Sequence, residues 1–231
     1  PDLRREIGSR LTSGQSVSVR TGIVNAVHAA LDTARTMVPD EAFIGVLSHI
    51  EPIEDGMVDA TFVDAAGNET SIIAPWLLLS SARAFHLDGT IGFVRLSLPR
   101  LKSTRELNRE IAAELGHETV HLLRQTGRLA GAVWDRLLAQ GNALRLLDAQ
   151  FGTYLKIVGD PAADKVNADM TVRDAYETLY AGRPDLQEMM DQEAVTHLVE
   201  WHMRGLLSDV DIVPVRDIVD QILSGETAKL P

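Results

Sequence analysis

Residues 103–127 read STRELNREIAAELGHETVHLLRQTG. Ser103 and Glu106 have the S-x-x-E spacing of a capping box, in which the two residues satisfy each other's free backbone N–H groups. The run that follows repeats at a helical period and stops at Gly127, a residue suited to the left-handed turn that ends helices. The pattern predicts a helix near 104–126, about six turns long. On its wheel Leu107, Ile111, Leu115 and Leu122 form one apolar stripe, and Glu118 falls in the middle of it. Burying a carboxylate without a partner is costly, so Glu118 needs an explanation. Glu110, Glu114, His117, His121 and Arg124 occupy the adjacent face.

His117-Glu118-Thr119-Val120-His121 is an H-E-x-x-H pentapeptide. Two histidines four apart on a helix share a face and stand roughly 6 Å apart along the axis. Both imidazoles can then reach one metal ion, and the Glu beside the first can address a water on that ion. By chance roughly one chain in 80 of this composition would carry the motif, so its helical setting carries the weight. The competing reading is a solvated stripe of Glu110, Glu114, His117, His121 and Arg124, with Glu118 paired to a distant arginine. Gly116 precedes the first His. A helical Gly costs about 1 kcal/mol against Ala, which points to close packing there by a strand, a substrate or a crossing helix.

A catalytic zinc uses three protein ligands and keeps one position open. Residues 122–127 read LLRQTG, so no third His follows at the metzincin spacing. A second helical segment, Pro184 to Arg204, is closed by Gly205 and carries Glu193, His197 and Glu200 at i, i+4 and i+7. Each of these three is a candidate ligand, against the alternative of a solvated helix face.

The stretch DQEAVTH, with its E-A pattern at Glu193, resembles the third-ligand helix of the gluzincins, the group of thermolysin-like zinc peptidases. The resemblance covers residues 105–202. It implies Zn²⁺ held by His117, His121 and Glu193, with Glu118 as the catalytic base. In such enzymes an Asp four positions after the ligand supports the site from behind. Here that position is His197, which leaves open whether His197 supports, ligates or is incidental; Glu200 is the remaining contender. The interval from His121 to Glu193 is far longer than in thermolysin-like enzymes. The stretch HLLRQTGRLAGAVWDRLL is also similar to H-E-x-x-H domains of very large multidomain proteins from phages and other bacterial mobile elements. Those show an H-E-x-x-H-x-L-R-x-x-G stretch, a W-x-x-L and a later E-A helix.

These resemblances imply a zincin-like fold and a zinc metallopeptidase acting on a peptide or protein. The alternative is a catalytically silent zincin-fold domain that binds or supports within a larger phage or mobile-element protein. A peptidase also needs a donor for its oxyanion, and Tyr176, Tyr180, His202 and Arg124 are the candidates. Ligating histidines need an acceptor on their second nitrogen, for which Glu114 and Asp191 are available. Trp134, Trp201, Met189 and Met190 read as core.

The chain has 231 residues, is 45% hydrophobic and carries a formal net charge of −11, with a pI near 5.0. Length and composition suit one large domain or two small ones. An acidic surface without a basic, aromatic-rich cluster disfavours nucleic acid and membrane as partners. With no cysteine, disulfides, thiolate metal ligands and thiol catalysis are excluded. No apolar run reaches membrane-spanning length and no signal peptide is visible, which leaves the compartment open. Pro1 in place of an initiator Met suggests a catalytic domain cut from a longer protein.

Residues 21–38 have amphipathic spacing, from Ile23 to Met37, ended by Pro39. His28 within it reads as a core or surface residue. FIGVLSHI, VDATFVD and TSIIAP have β character, with AAGNE as a hairpin turn. LDGT is a second turn, between ARAFH and TIGFVRLSL. TIGFVRLSL is either an edge strand able to pair with an extended peptide or an ordinary core strand. Helices are expected at 130–147, 148–158, 171–181, 184–204 and 214–224. Strands followed by helices give an α+β class: a small, mostly antiparallel sheet packed on the motif helix, then a mainly helical half. The expected subdomains are 1–100, an N-terminal helix plus the sheet, and 101–231, carrying the metal site.

Overall fold

A computed structural model of the chain describes residues 29–32, 35–76, 79, 84–87, 89–94, 104–158 and 161–226. Of the helix expected over 21–38, residues 21–28 with His28, and residues 33–34, lie outside these residues, as do Ser103, the end of TIGFVRLSL and the side chain of Leu107; 29–32 are helical and Arg35–Met37 form a 3₁₀ turn.

The chain folds as α+β. Five strands, β1 (Phe43–Pro52), β2 (Met57–Val63), β3 (Glu69–Pro75), β4 (Ala84–Leu87) and β5 (Thr90–Phe93), form one mixed sheet in the order β3-β2-β1-β5-β4. The pairs β1–β2, β2–β3 and β4–β5 are antiparallel, and β1–β5 is parallel, with Phe43 opposite Thr90 and Val46 opposite Phe93. Side chains alternate across a strand, and β2 shows it: Val58, Ala60 and Phe62 are sealed from solvent while their neighbours are half-buried. Asp64 shapes the turn into β3 by accepting from the backbone N–H groups of Ala66 and Asn68.

The strand order decides between the two readings of TIGFVRLSL. β5, its start, lies inside the sheet between β1 and β4 as a core strand, and all four of its residues are buried. Among the described residues the edges are β3 and β4.

Seven helices follow: α1 (Thr104–Gln125), α2 (Gly131–Ala143), α3 (Phe151–Ile157), α4 (Val172–Leu179), α5 (Leu186–Arg204), α6 (Asp209–Ile212) and α7 (Arg216–Leu223). α5 ends at Gly205 in the left-handed conformation, and Pro184 lies just ahead of its first turn. None of the described helices is long and apolar enough to cross a membrane.

α1 is the centre of the molecule. Its Ile111, Leu115 and Leu122 pack against Ile44, Val46, Ile91 and Phe93 of the sheet. Its Val120 and Leu123 pack with Leu137 of α2, Val195, Leu198 and Val199 of α5, and Ile218 and Ile222 of α7. Burying a Leu, Ile or Phe side chain stabilises a fold by about 1.5–3 kcal/mol, so these two layers hold α1 from both sides. The face with Glu114 and His117 is buried too, against α5. It is not a solvated stripe.

Glycines set the closeness of these crossings. A Cβ on Gly116 would run into Met203 Sδ and stand 3.4 Å from Val199 Cγ1, both on α5. A helix crossing therefore explains Gly116. On the other side of α5, a Cβ on Gly141 of α2 would stand 2.7 Å from the backbone oxygen of Ala194.

The two sites differ in what can yield. Met203 is a flexible side chain, and Ala gains about 1 kcal/mol over Gly in a helix, so Gly116→Ala should leave stability within about 1 kcal/mol of wild type. Backbone cannot move aside without shifting α5, so Gly141→Ala should cost about 1–3 kcal/mol. Urea unfolding of the two variants checks this, and equal costs would sink the distinction.

Candidate metal centre

α1 and α5 cross so that the two histidines of the motif face Glu193. The imidazole centroids of His117 and His121 lie 5.2 Å apart. Glu193 sits between their outer nitrogens, with Oε2 3.5 Å from His117 Nε2 and Oε1 3.5 Å from His121 Nε2. The three residues offer ligand atoms within 4.8 Å of one another. Ligand atoms about 2.0–2.2 Å from a tetrahedral ion are themselves roughly 3.3–3.6 Å apart. The spacing therefore fits a small divalent cation.

The inner nitrogens are occupied. His117 Nδ1 lies 3.2 Å from Glu200 Oε2, and His121 Nδ1 lies 3.0 Å from Gln192 Oε1. A carboxylate or amide oxygen there requires N–H on Nδ1, which leaves the Nε2 lone pair aimed at Glu193. This is the arrangement a ligating imidazole needs. It corrects the expected acceptors: Glu114 instead takes a hydrogen bond from Arg204, and Asp191 takes one from Gln187.

His117, His197 and Glu200 form a second group with converging ligand atoms. It is worse suited to a metal. Glu200 Oε1 accepts from Arg204 Nε at 2.8 Å, so its charge is already compensated. Both His197 and Glu200 are wholly buried and lie away from the cavity described below. His197 Nε2 contacts the Tyr176 hydroxyl at 3.1 Å, while its Nδ1 has no hydrogen-bond partner. Burial pushes the His197 pKa down to about 4 despite Glu200 nearby, so at neutral pH the ring is an uncharged part of the packing behind the ligands.

A cavity of about 970 Å³ opens onto His117, His121 and Glu193. Glu118, 6% exposed, lines it beside them. Among the described residues Glu118 has no hydrogen-bonding partner. Burial pushes its pKa up to about 7, against the pull of the two imidazoles. Glu193, only 1% exposed, goes the other way: burial alone would raise it, but His121 and His117 hold it well below the usual carboxylate range. Burial would lower both histidines, yet Glu193 outweighs it at each, helped at His117 by Glu200, and both lie above the ordinary value. In the metal-free chain protons thus stand where a cation would, and a metal must displace them.

All three tyrosines of the chain meet this centre. Tyr180 donates to Glu193 Oε1 at 2.7 Å, Tyr176 reaches His197, and Tyr154 lies 3.4 Å from Glu200 Oε2. Burial, with Glu193 adding to it, raises the pKa of Tyr180, so its phenol stays a neutral donor. The other candidate donors are placed differently. Arg124 borders the cavity but is committed to Glu188 and the Leu129 carbonyl. His202 does not line the cavity. Met189, expected in the core, lines the cavity, whereas Met190 and Trp134 are buried as expected and Trp201 packs, half-buried, on the helical core. Tyr154 and Gln192 carry no motif of their own, and the sequence reading leaves them out; only proximity to Glu193 in the chain hints at Gln192.

No protein-family model matches the chain, and neither a curated protein nor a solved structure matches it.

Glu118 gives a pH test of the metal-free fold. Its folded pKa lies above the unfolded value of 4.5, so its charge costs stability. The cost is complete above pH 7 and fades as pH falls toward 4.5, where the folded chain keeps the proton. Glu118→Gln should therefore stabilise chelator-treated protein by about 2–3 kcal/mol at pH 8, with the gain largely gone at pH 5. Thermal unfolding at both pH values checks this; a variant less stable than wild type at pH 8 would contradict it.

Proposed function

We propose that this chain is a zinc-dependent metallopeptidase of the gluzincin type, with a zincin-like fold. The observation that carries the proposal is the pairing of two features on one cavity. The outer nitrogens of His117 and His121 converge on the Glu193 carboxylate, and Glu118 stands beside them on the same cavity. Two imidazole nitrogens and one carboxylate oxygen are a common catalytic zinc set. Charge favours a dication as well: Arg204 is matched by Glu110, Glu114 and Glu200, while Glu118 and Glu193 add two further carboxylates beside the histidines.

A polypeptide substrate is supported by β4. Ala84, Phe85, His86 and Leu87 all line the cavity. Successive side chains of a strand point to opposite faces, so four in a row meet one cavity along the strand's edge. β4 ends the sheet, and an edge offers backbone N–H and C=O groups to an extended chain.

Zn²⁺ held by His117, His121 and Glu193 would supply the Lewis acidity that activates a water and polarises a carbonyl. Glu118, unpaired among the described residues and facing the cavity beside His117 and His121, is placed to accept the proton of the attacking water and return it to the leaving amine. Tyr180 presents a neutral phenol on the cavity wall; its one proton goes to Glu193 Oε1, so it orients that carboxylate and would meet a developing oxyanion only on releasing this bond. Gln192 and Glu200 keep the two imidazoles in the ligating tautomer.

Elemental analysis should find close to one zinc per chain, lost in His117→Ala. Wild-type protein should cleave unfolded polypeptide, and Glu118→Gln should lower the rate by about 10²–10⁴-fold while keeping its zinc. Zinc binding without cleavage by wild type would favour a silent binding domain, and no zinc at all would remove the metal reading.

A further inference from the structure

Each ligand imidazole is the end of a chain of polar contacts, and each chain terminates in an arginine. On one side His117 Nδ1 meets Glu200 Oε2, while Glu200 Oε1 accepts from Arg204 Nε at 2.8 Å. Arg204 also donates to Glu114 Oε1 at 2.8 Å and to Glu110, both on α1. On the other side His121 Nδ1 meets Gln192 Oε1, Gln192 Nε2 donates to Glu188 Oε1 at 3.2 Å, and Glu188 accepts from Arg124 Nε at 2.8 Å. Arg124 is fixed in turn by stacking 4.3 Å over the Trp134 ring.

We infer that Arg204 and Arg124 are positioning residues of the metal centre, setting how the two imidazoles present Nε2. The inference rests on the metal reading above. A carboxylate with one free oxygen can rotate about its last bond. Glu200 has neither oxygen free: Oε1 is held by Arg204, and Oε2 is shared by His117 and Tyr154. Arg204 reaches Oε1 through Nε while its two terminal nitrogens are held by Glu110 and Glu114. The planar guanidinium is thus fixed by three carboxylates and, with Oε2 bound to His117, sets the Glu200 plane, a spread of donors that a lysine's ammonium cannot reproduce. A purely stabilising role accounts poorly for this arrangement, since buried ion pairs are often matched or exceeded in stability by apolar packing. The two chains are unequal. The Arg204 side chain is 3% exposed, whereas Arg124 and Glu188 are 24% and 43% exposed, so water can replace the second chain far more readily.

The test is Zn²⁺ affinity of the intact chain, by competition with a chromophoric chelator, for wild type, Arg204→Lys, Arg124→Lys and Ile72→Val. A triple variant, Glu110→Gln, Glu114→Gln and Arg204→Met, removes the clamp without leaving its α1 carboxylates charged, in case Arg204→Lys does not fold. Losing an outer partner of a ligand typically weakens binding about 10–100-fold. Arg204→Lys and the triple variant should fall at the lower end of that range, about tenfold, and Arg124→Lys should change affinity less than about threefold. Ile72→Val, destabilised in β3 away from the network, should bind as wild type does. Imidazole ¹⁵N shifts of the zinc-loaded Arg204 variants should move for His117 and stay for His121. Arg204 variants that bind zinc like wild type, or an Ile72→Val loss as large as theirs, would overturn the assignment while leaving the metal reading intact. A wild type that binds no zinc overturns both.

Discussion

The contact between α1 and α5 buries charge together with hydrocarbon, and the rest of the molecule is arranged around that combination. Leu115 and Val120 on one helix and Val195, Leu198 and Val199 on the other supply the apolar area that holds the pair. Between them lie Glu114, His117, Glu118, Glu193 and Glu200, all nearly or wholly out of water. Each ionised group there has an individual desolvation cost of several kcal/mol. The contact is possible because nearly every polar atom in it has a partner within hydrogen-bonding distance. Among the described residues the exceptions are Thr119 Oγ1, His197 Nδ1 and Glu118, and of these Glu118 is the one that lines the cavity.

The surroundings follow from the need to reach that contact from outside. Were α5 covered along its full length as it is by α2 at Ala194, the ligands would be sealed. α3 and α4 instead stand off from α1, leaving the cavity, and their tyrosines reach back to Glu200, His197 and Glu193. On the far wall β4 ends the sheet among the described residues. A floor of crossed helices, a strand edge and an aromatic wall thus bound one space. Site geometry of this kind is held best by regular elements rather than loops.

Much of this is legible in the sequence because it rests on local rules. The capping and stop signals place α1 within a residue of its observed ends, and the alternation in VDATFVD and the turns at AAGNE and LDGT give β2 to β5. His117, Glu118 and His121 follow from spacing within one helix. Glu193 is legible as a candidate but not separable from His197 and Glu200, since all three lie close around the same helix and only the crossing with α1 decides which one faces the two Nε2 atoms. Strand order is not written locally either: TIGFVRLSL has the composition of an edge or a centre, and the parallel pairing with β1 is what buries it. Gln192 and Tyr154 are invisible for a related reason, because a hydrogen bond between residues far apart in the chain leaves no period in either segment.

The charge at the α1–α5 contact also links metal, protons and folding. Without an ion, the imidazoles of His117 and His121 are held protonated above their ordinary values chiefly by Glu193, and those protons keep Glu193 ionised. Binding a dication would exchange protons for metal at the same positions, so affinity would rise with pH as the competing protons leave. The same exchange would add stability to the fold, because the unfolded chain does not hold the three residues together. Glu118 is outside this exchange. Without an ion its carboxylate costs stability, and a fold selected for the stability of the metal-free chain has no use for it on the buried stripe of α1. Its place there, at the cavity and beside His117, His121 and Glu193, is the feature that would separate a metal-dependent catalyst from a metal-stapled helix pair.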